Sequence, residues 1–159
     1  RQAIRDVGSS AELSYLYVGD FNDPVRTRQA AESLISTGVD VIISSVNLGN
    51  FGLYNAVKDA SNKVYITTKY TDKTDQAPDN FLTSDLFDFR QPLSEILTRF
   101  VAGEKGGFLP LAFGPGEPRA TQFPIRNISD DLNNRLEGLF EMVGNGEVDI
   151  IRNQAEILD

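Results

Sequence analysis

Aromatic rings set among carboxamides and carboxylates are the residues of this chain with the most chemistry to offer, and that chemistry is binding. At Tyr17-Val18-Gly19-Asp20-Phe21-Asn22-Asp23-Pro24 an apolar run ends in a polar turn carrying one ring, and Asp23-Pro24 opens a helix. Three later turns repeat the pattern with other residues: Val46-Asn47-Leu48-Gly49-Asn50, Lys69-Tyr70-Thr71-Asp72-Lys73 and Phe87-Asp88. From these turns the candidate ligand-binding residues are Phe21, Asn22, Asn47, Asn50, Tyr70, Asp72 and Phe87. A ring supplies a stacking face, while amides and carboxylates supply directed hydrogen bonds, a mixture suited to a flat, polar small molecule. Each residue also has an architectural reading. Phe21 and Phe87 can anchor loops in a core, Asn47 and Asn50 can brace or cap turns, and the Lys69–Lys73 charges can form a solvated loop.

Catalysis finds little support. The chain has no histidine and no cysteine, which removes imidazole bases, thiolate nucleophiles, disulfides and the usual zinc ligands. Neither Asp85 with Asp88 nor Asp72 with Asp75 has a spacing that argues for a carboxylate pair or a magnesium site. Gly49-Asn50-Phe51-Gly52 lacks the glycine spacing of a dinucleotide fingerprint, and no P-loop or Gly-x-Ser-x-Gly elbow is present. No enzyme activity and no cofactor are therefore expected. A net charge of -8 argues against nucleic acid, whose phosphates need clustered Lys and Arg. No apolar run approaches the ~18 residues of a membrane-spanning helix. Asn127-Ile128-Ser129 fits a glycosylation sequon, but Ser129 is better explained as a helix cap.

These turns need elements to hold them. At 159 residues the length fits one domain. Ala11 to Gly19 reads as a strand, with Leu13, Tyr15 and Tyr17 alternating. Asp23 is an N-cap with Pro24 at the first helical position, Ala30, Ala31, Leu34 and Ile35 form an apolar stripe, and Gly38 closes the helix. Asp40 to Ser45 is a short apolar strand of the doubly covered kind. A helix from about Phe51 to Ala60 leads to a strand at Lys63–Thr67, and the polar loop from Lys69 to Asn80 precedes a strand at Phe81–Leu86. A long helix follows, with Leu93, Ile96, Leu97, Phe100 and Val101 on its predicted buried face. Gly106-Gly107 breaks it before a strand at Phe108–Phe113. The turn Gly114–Pro118 then leads to an edge segment, Thr121–Ile125, with its proline. Ser129 caps a last helix with Asp130 and Asp131 in its first turn, and Leu132, Leu136, Leu139, Phe140 and Val143 are its predicted buried stripe. The tail from Gly144 to Asp159 carries no clear signal. Strand–helix alternation predicts an α/β fold with a parallel sheet, which binds ligands beyond the carboxyl ends of its strands.

The ordered motifs resemble the basic membrane lipoprotein family of substrate-binding proteins, best known for purine nucleoside receptors. The matching pieces are Tyr17 to Pro24, Gly38-Val39-Asp40-Val41-Ile42-Ile43, Lys63-Val64-Tyr65, Ala77-Pro78-Asp79-Asn80-Phe81-Leu82-Thr83-Ser84, the Gly106-Gly107 turn and the helix from Ile128 to Glu147. The resemblance implies a three-layer α/β/α lobe of a type I periplasmic-binding-protein fold, with residues 1–159 forming one lobe from the C-terminal part of a two-lobe protein. It implies an extracytoplasmic protein lipid-anchored through a segment before Arg1, a small-molecule ligand such as a purine nucleoside or base, and the membrane permease of an ABC transporter as partner.

By the same resemblance, the phenylalanine matching Phe21 stacks on the purine. The family's glycine-rich stretch after the second strand is replaced by Asn47-Leu48-Gly49-Asn50. Its acidic pair is represented by Tyr70 and Asp72, and its lysine after Leu-Thr-Ser falls on Phe87, so the sugar-reading positions differ while the stacking position is kept. A ligand-sensing module on a signalling protein and a nucleoside-processing hydrolase are the alternative readings. The missing lobe would leave Phe21, Leu48 and Phe87 exposed, so the fragment by itself is expected to form some homodimer.

Overall fold

The structure, a computed structural model, describes residues 1–150, so the part of the Gly144–Asp159 tail from residue 151 on lies outside the described residues. A short helix α1 (Gln2–Asp6) is followed by α2 (Pro24–Ser36), β1 (Val41–Ile43), α3 (Asn50–Asp59) and β2 (Tyr65–Tyr70). A 3-10 turn (Thr74–Gln76), β3 (Phe81–Phe87), α4 (Arg90–Val101), β4 (Arg119–Thr121) and α5 (Asp130–Gly144) complete the order. The sheet runs β1-β2-β3-β4, with the first three strands parallel and β4 antiparallel at the edge. The α/β class and the parallel-dominated sheet agree with the sequence.

Local chemistry explains the helix ends. The Asp23 carboxylate accepts from the Val25 and Arg26 amides at 2.9 and 3.0 Å, and Pro24 takes the first position, where a missing N–H costs nothing. Gly38 leaves the helix at φ +90°, a conformation that carries no Cβ penalty in glycine. Ser129 caps α5 by accepting from the Leu132 amide. The sequon residue Asn127 is architectural, its amide nitrogen donating to the Phe81 carbonyl at 3.0 Å.

Ile42, Ile66 and Phe81 stand in register across β1, β2 and β3, and all three are buried. Ala31 from α2 and Leu53, Ala56 and Val57 from α3 belong to the same core. Each fully buried large side chain contributes roughly 1.5–3 kcal/mol, so this row with its helical cover is the main source of cohesion. Helices α2 and α3 approach so closely that a Cβ on Gly52 would lie 1.9 Å from the Pro24 carbonyl oxygen and 2.8 Å from the Arg28 nitrogen.

Several expectations fail in instructive ways. Ala11–Gly19 is not a strand: it is non-helical chain with Leu13, Tyr15, Leu16 and Tyr17 exposed. Alternating residues there favour pairing, but among the described residues no strand pairs with them. Phe108–Phe113 is not a strand either; only Phe113 makes an isolated bridge, to Arg119. The edge segment pairs earlier than expected, at Arg119–Thr121 in place of Thr121–Ile125. Helix α4 forms, but Leu93, Ile96, Leu97, Phe100 and Val101 are all exposed, Val101 at 85%. Their 3.6-residue spacing specifies a helix with an apolar side, without specifying that the covering partner belongs to these residues.

The α5 stripe is half right. Leu136, Phe140 and Val143 are half-buried, while Leu132 and Leu139 are exposed. Phe140 packs on Phe113 and Phe123 at ring distances of 5.1 and 5.5 Å. The buried residue of α5 is Asn133, whose amide bonds both the nitrogen and the carbonyl of Ile125.

Two glycines in helices test this packing. Gly52→Ala forces a methyl group into backbone, so we expect destabilisation at or above the roughly 1–3 kcal/mol of ordinary overpacking. Gly138 has nothing within 4 Å of its Cβ direction, so Gly138→Ala should raise stability by about 0.5–1 kcal/mol. Thermal melts followed by circular dichroism check both; an unperturbed Gly52→Ala melt would refute the close helix contact.

Candidate ligand-binding site

At the end of the Ala11–Gly19 segment, Gly19 turns the chain at φ +82° and the Asp20 carboxylate accepts from the Asn22 amide at 2.8 Å. The following carbonyl, that of Phe21, accepts from Asn47 and Gly49, at 2.8 and 3.0 Å. This double bond pattern ties the first turn to the loop after β1. It also requires Gly49, because a Cβ there would stand 3.1 Å from the Phe21 oxygen and 2.5 Å from the Thr27 hydroxyl. With its backbone pinned, Phe21 is 63% exposed, so it is not a core residue of this chain. Asn22 Oδ1 lies 3.4 Å from the Leu48 amide, and Asn47 and Leu48 are exposed beside it.

Asn50 has a different place. It is buried, accepts from the Ser44 hydroxyl at 2.6 Å, and donates to the Val46 carbonyl at 2.9 Å. Its amide braces the loop that presents Asn47.

The other candidates gather after β2 and β3. Tyr70 adopts φ +80°, a conformation rare for a bulky residue, and its ring lies 5.1 Å from that of Phe87. Phe87 also contacts Phe89 at 5.8 Å and carries the Arg119 guanidinium 4.9 Å above its ring. Arg119 Nη2 in turn meets Asp85 Oδ2 at 2.7 Å. Asp72 accepts from the Thr74 hydroxyl and amide at 2.5 and 2.8 Å and from Gln122 Nε2 at 2.6 Å. These donors, the Thr74 hydroxyl foremost, hold the Asp72 carboxyl below the usual carboxylate range. Asp88, at the head of α4, pairs with Arg90, whose side chain pulls it down to about 2.

Two groups therefore emerge: Phe21, Asn22 and Asn47 on one side, and Tyr70, Phe87 and Asp72 on the other. The first rests on the loop after β1 and the second follows β2 and β3, but among the described residues no hydrogen bond or ring contact joins them. Arg119, Gln122 and Thr74 were missed by the sequence reading. Asp85 Oδ1, Arg119 Nε and Gln122 Oε1 are buried atoms without a hydrogen-bond partner among the described residues. The available signal was the Gly114–Pro118 turn, which returns a polar strand onto β3. Among the described residues no group of His, Cys, Asp and Glu is arranged to hold a metal.

A cleft of about 1390 Å³ lies elsewhere, between residues 11–21 on one side and residues 37–43, 45 and 46 on the other. Of the candidate residues, Phe21 alone lines it.

The profile of the Bmp family, described as "ABC transporter substrate-binding protein PnrA-like", matches residues 1–109. The chain belongs to this family. Curated Bmp relatives include Basic membrane protein A2 of Borrelia garinii subsp. bavariensis, 26% identical over 146 residues (86% of this chain, 42% of the relative). Basic membrane protein A of Borreliella afzelii is 25% identical over 130 residues, covering 76% of this chain and 40% of its own. The chain thus spans about two fifths of these relatives.

Among solved structures, an ABC transporter solute-binding protein from Aeropyrum pernix K1 superposes with a TM-score of 0.74 at 20% identity, over 96% of this chain and 51% of that one. A solute-binding protein from Conexibacter woesei gives 0.65 at 22% identity, over 94% and 50%. These likenesses establish the shared fold of this Bmp chain.

The two asparagines of the first group should separate by experiment. Asn50→Leu strands the Val46 carbonyl and the Ser44 hydroxyl, so it should cost roughly 1–3 kcal/mol, whereas Asn47→Ala should leave the melting temperature nearly unchanged.

Asp72 should show itself through pH. A depressed carboxyl stabilises the fold fully above the ordinary carboxylate pKa of about 3.9, and that contribution disappears as pH falls through the depressed value. The stability gap between the parent chain and Asp72→Asn should be widest near neutral pH and close under acid. A gap that stays constant from pH 7 to pH 2 would show that Asp72 is not held ionised.

Proposed function

We propose that residues 1–159 form one lobe of a two-lobe, extracytoplasmic solute-binding protein that hands its ligand to an ABC-type permease. The observation that carries this reading is the exposed Phe21 ring on a turn pinned by the Asn47 and Gly49 amides, in a chain of a substrate-binding family. A ring held by its own backbone loses little freedom when it stacks, which favours a planar ligand. On this reading the protein is a binder and not an enzyme, and a lipid anchor outside these residues keeps it at the membrane.

The ligand is purine-like, with Phe21 as the platform and Asn22 and Asn47 as neighbouring hydrogen-bonding groups. Tyr70, Asp72 and Phe87 form the second half of the site, with Asn50 as a brace. That second half is poorly suited to a ribose. Phe87 has no hydrogen-bonding group, and both Asp72 oxygens already accept internal bonds. A free base should therefore bind at least as well as its nucleoside.

Calorimetry on the full-length protein tests this reading, with adenosine against adenine and guanosine against guanine. Base–aromatic stacking contributes roughly 1–3 kcal/mol, so Phe21→Ala should weaken binding about tenfold or more and leave the ligand-free melt unchanged. Unchanged affinity with a collapsed melt would make Phe21 a structural residue. A strong nucleoside preference in both pairs would refute the altered sugar pocket.

A further inference from the structure

Strand β1 sits at the edge of the sheet with only β2 beside it. Its sequence, Val41-Ile42-Ile43, has none of the charges, prolines or bulges that normally protect an exposed edge from pairing. Asp40 accepts from the Tyr65 amide at 2.8 Å and Ser44 donates to the Thr67 carbonyl at 2.9 Å. In a parallel ladder alternate residues turn to opposite neighbours, so the backbone N–H and C=O groups of Val41 and Ile43 point away from β2, into the cleft. Their side chains are 41% and 71% exposed, although strands of parallel sheets are normally covered on both faces.

The opposite wall of the cleft has matching properties. Leu13-Ser14-Tyr15-Leu16-Tyr17-Val18 is rich in residues that favour strands, yet among the described residues no hydrogen bond engages the backbone from Glu12 to Val18. Two strand-like segments thus present unmatched backbone and apolar side chains to one space. The volume, about 1390 Å³, exceeds the roughly 300–1,000 Å³ of small-molecule pockets. Apart from Phe21 at its end, the candidate ligand residues lie outside it.

We infer that this cleft is the seat of a β-strand, supplied by polypeptide outside residues 1–159, that pairs with β1 on one side and with Ala11–Val18 on the other. The inference rests on the proposal that the chain is part of a longer protein. The length of its relatives supports that occupant, because the chain covers 42% of a curated relative and 51% of a matched structure. Strands sit about 4.8 Å apart, so one seated strand separates its two neighbours by about 9.6 Å. The occupant runs parallel to β1 or antiparallel to it, is extended, and is apolar on both faces, as a strand inside a covered sheet must be. Once it is seated, Ala11–Gly19 becomes the strand that its alternation calls for.

Amide hydrogen–deuterium exchange, compared between residues 1–159 alone and the full-length protein, tests the inference. The Val41 and Ile43 amides and alternate amides between Leu13 and Tyr17 should exchange freely in the short chain. In the long one they should slow by on the order of a hundredfold or more, as in a central strand. Equal exchange in the two proteins would overturn the inference. So would protection of these amides in the short chain that rises with concentration together with dimer in sedimentation, since a second copy would then be the occupant. The ligand reading is judged separately. Purine binding by a full-length protein whose β1 edge stays unprotected sinks the strand alone, and a protected edge without purine binding sinks the ligand alone.

Discussion

Helix α2 rests on α3 at Gly52, where an added Cβ would lie 1.9 Å from the Pro24 carbonyl oxygen, and much of the molecule follows from that contact. Pro24 is the first residue of α2, and Gly52 lies in the first turn of α3. Joining the helices at their starting ends forces the turns that precede them, residues 19–22 and 46–49, to lie side by side. Only then can the Phe21 carbonyl accept from both Asn47 and Gly49. The same contact sets the helix pair over Ile42, Ile66 and Phe81, so one glycine serves both the core and the candidate site.

What the sequence made legible was mostly local. Asp23-Pro24, Gly38 and Ser129 announced helix ends through hydrogen bonds made within a few residues, and those features stand where expected. The strand at Val41–Ile43 was readable as a contiguous apolar run, although only Ile42 of it is buried, and the strand at Phe81–Phe87 was readable from the apolar residues at its two ends. Distant partners were not readable. Nothing near Gln122 says that its amide reaches Asp72, 50 residues away, and nothing near Arg119 says that it covers Phe87. The exposure of Phe21 was readable because a ring in a polar turn is unusual. The bracing bonds of Asn50 to Ser44 and Val46 were not readable, because a carboxamide looks the same in sequence whether it faces outward or braces a loop.

Electrostatics divides the candidate site unevenly. Around Phe21 stand the Asn22 and Asn47 amides and the Asp20 and Asp23 carboxylates, which accept from backbone amides, and among the described residues no cation lies over the ring. Around Phe87 the ring is already covered by a guanidinium, and Asp85, Arg119, Asp72 and Gln122 form paired contacts. Binding a planar ligand near Phe21 mainly replaces water on an apolar face, which is favourable without displacing an ion pair. Binding at Phe87 would have to compete with Arg119 for the same ring face. On the proposed reading, this asymmetry favours stacking at the first turn, with the second group as a polar wall.

The failed expectations share a cause. Ala11–Gly19 alternates as a strand does, and Leu93 to Val101 repeats as a buried helix does, yet both leave apolar side chains in water. Periodicity records that a segment was shaped to be covered; it carries no address for the cover. In a parallel sheet this matters more than elsewhere, because each interior strand needs neighbours on both edges and helices on both faces. A chain that supplies α2 and α3 for one face and leaves β1 open has satisfied half of that requirement. The apolar residues left over are better understood as surfaces made for a cover than as errors of patterning, and those of Ala11–Gly19 face the open edge of β1.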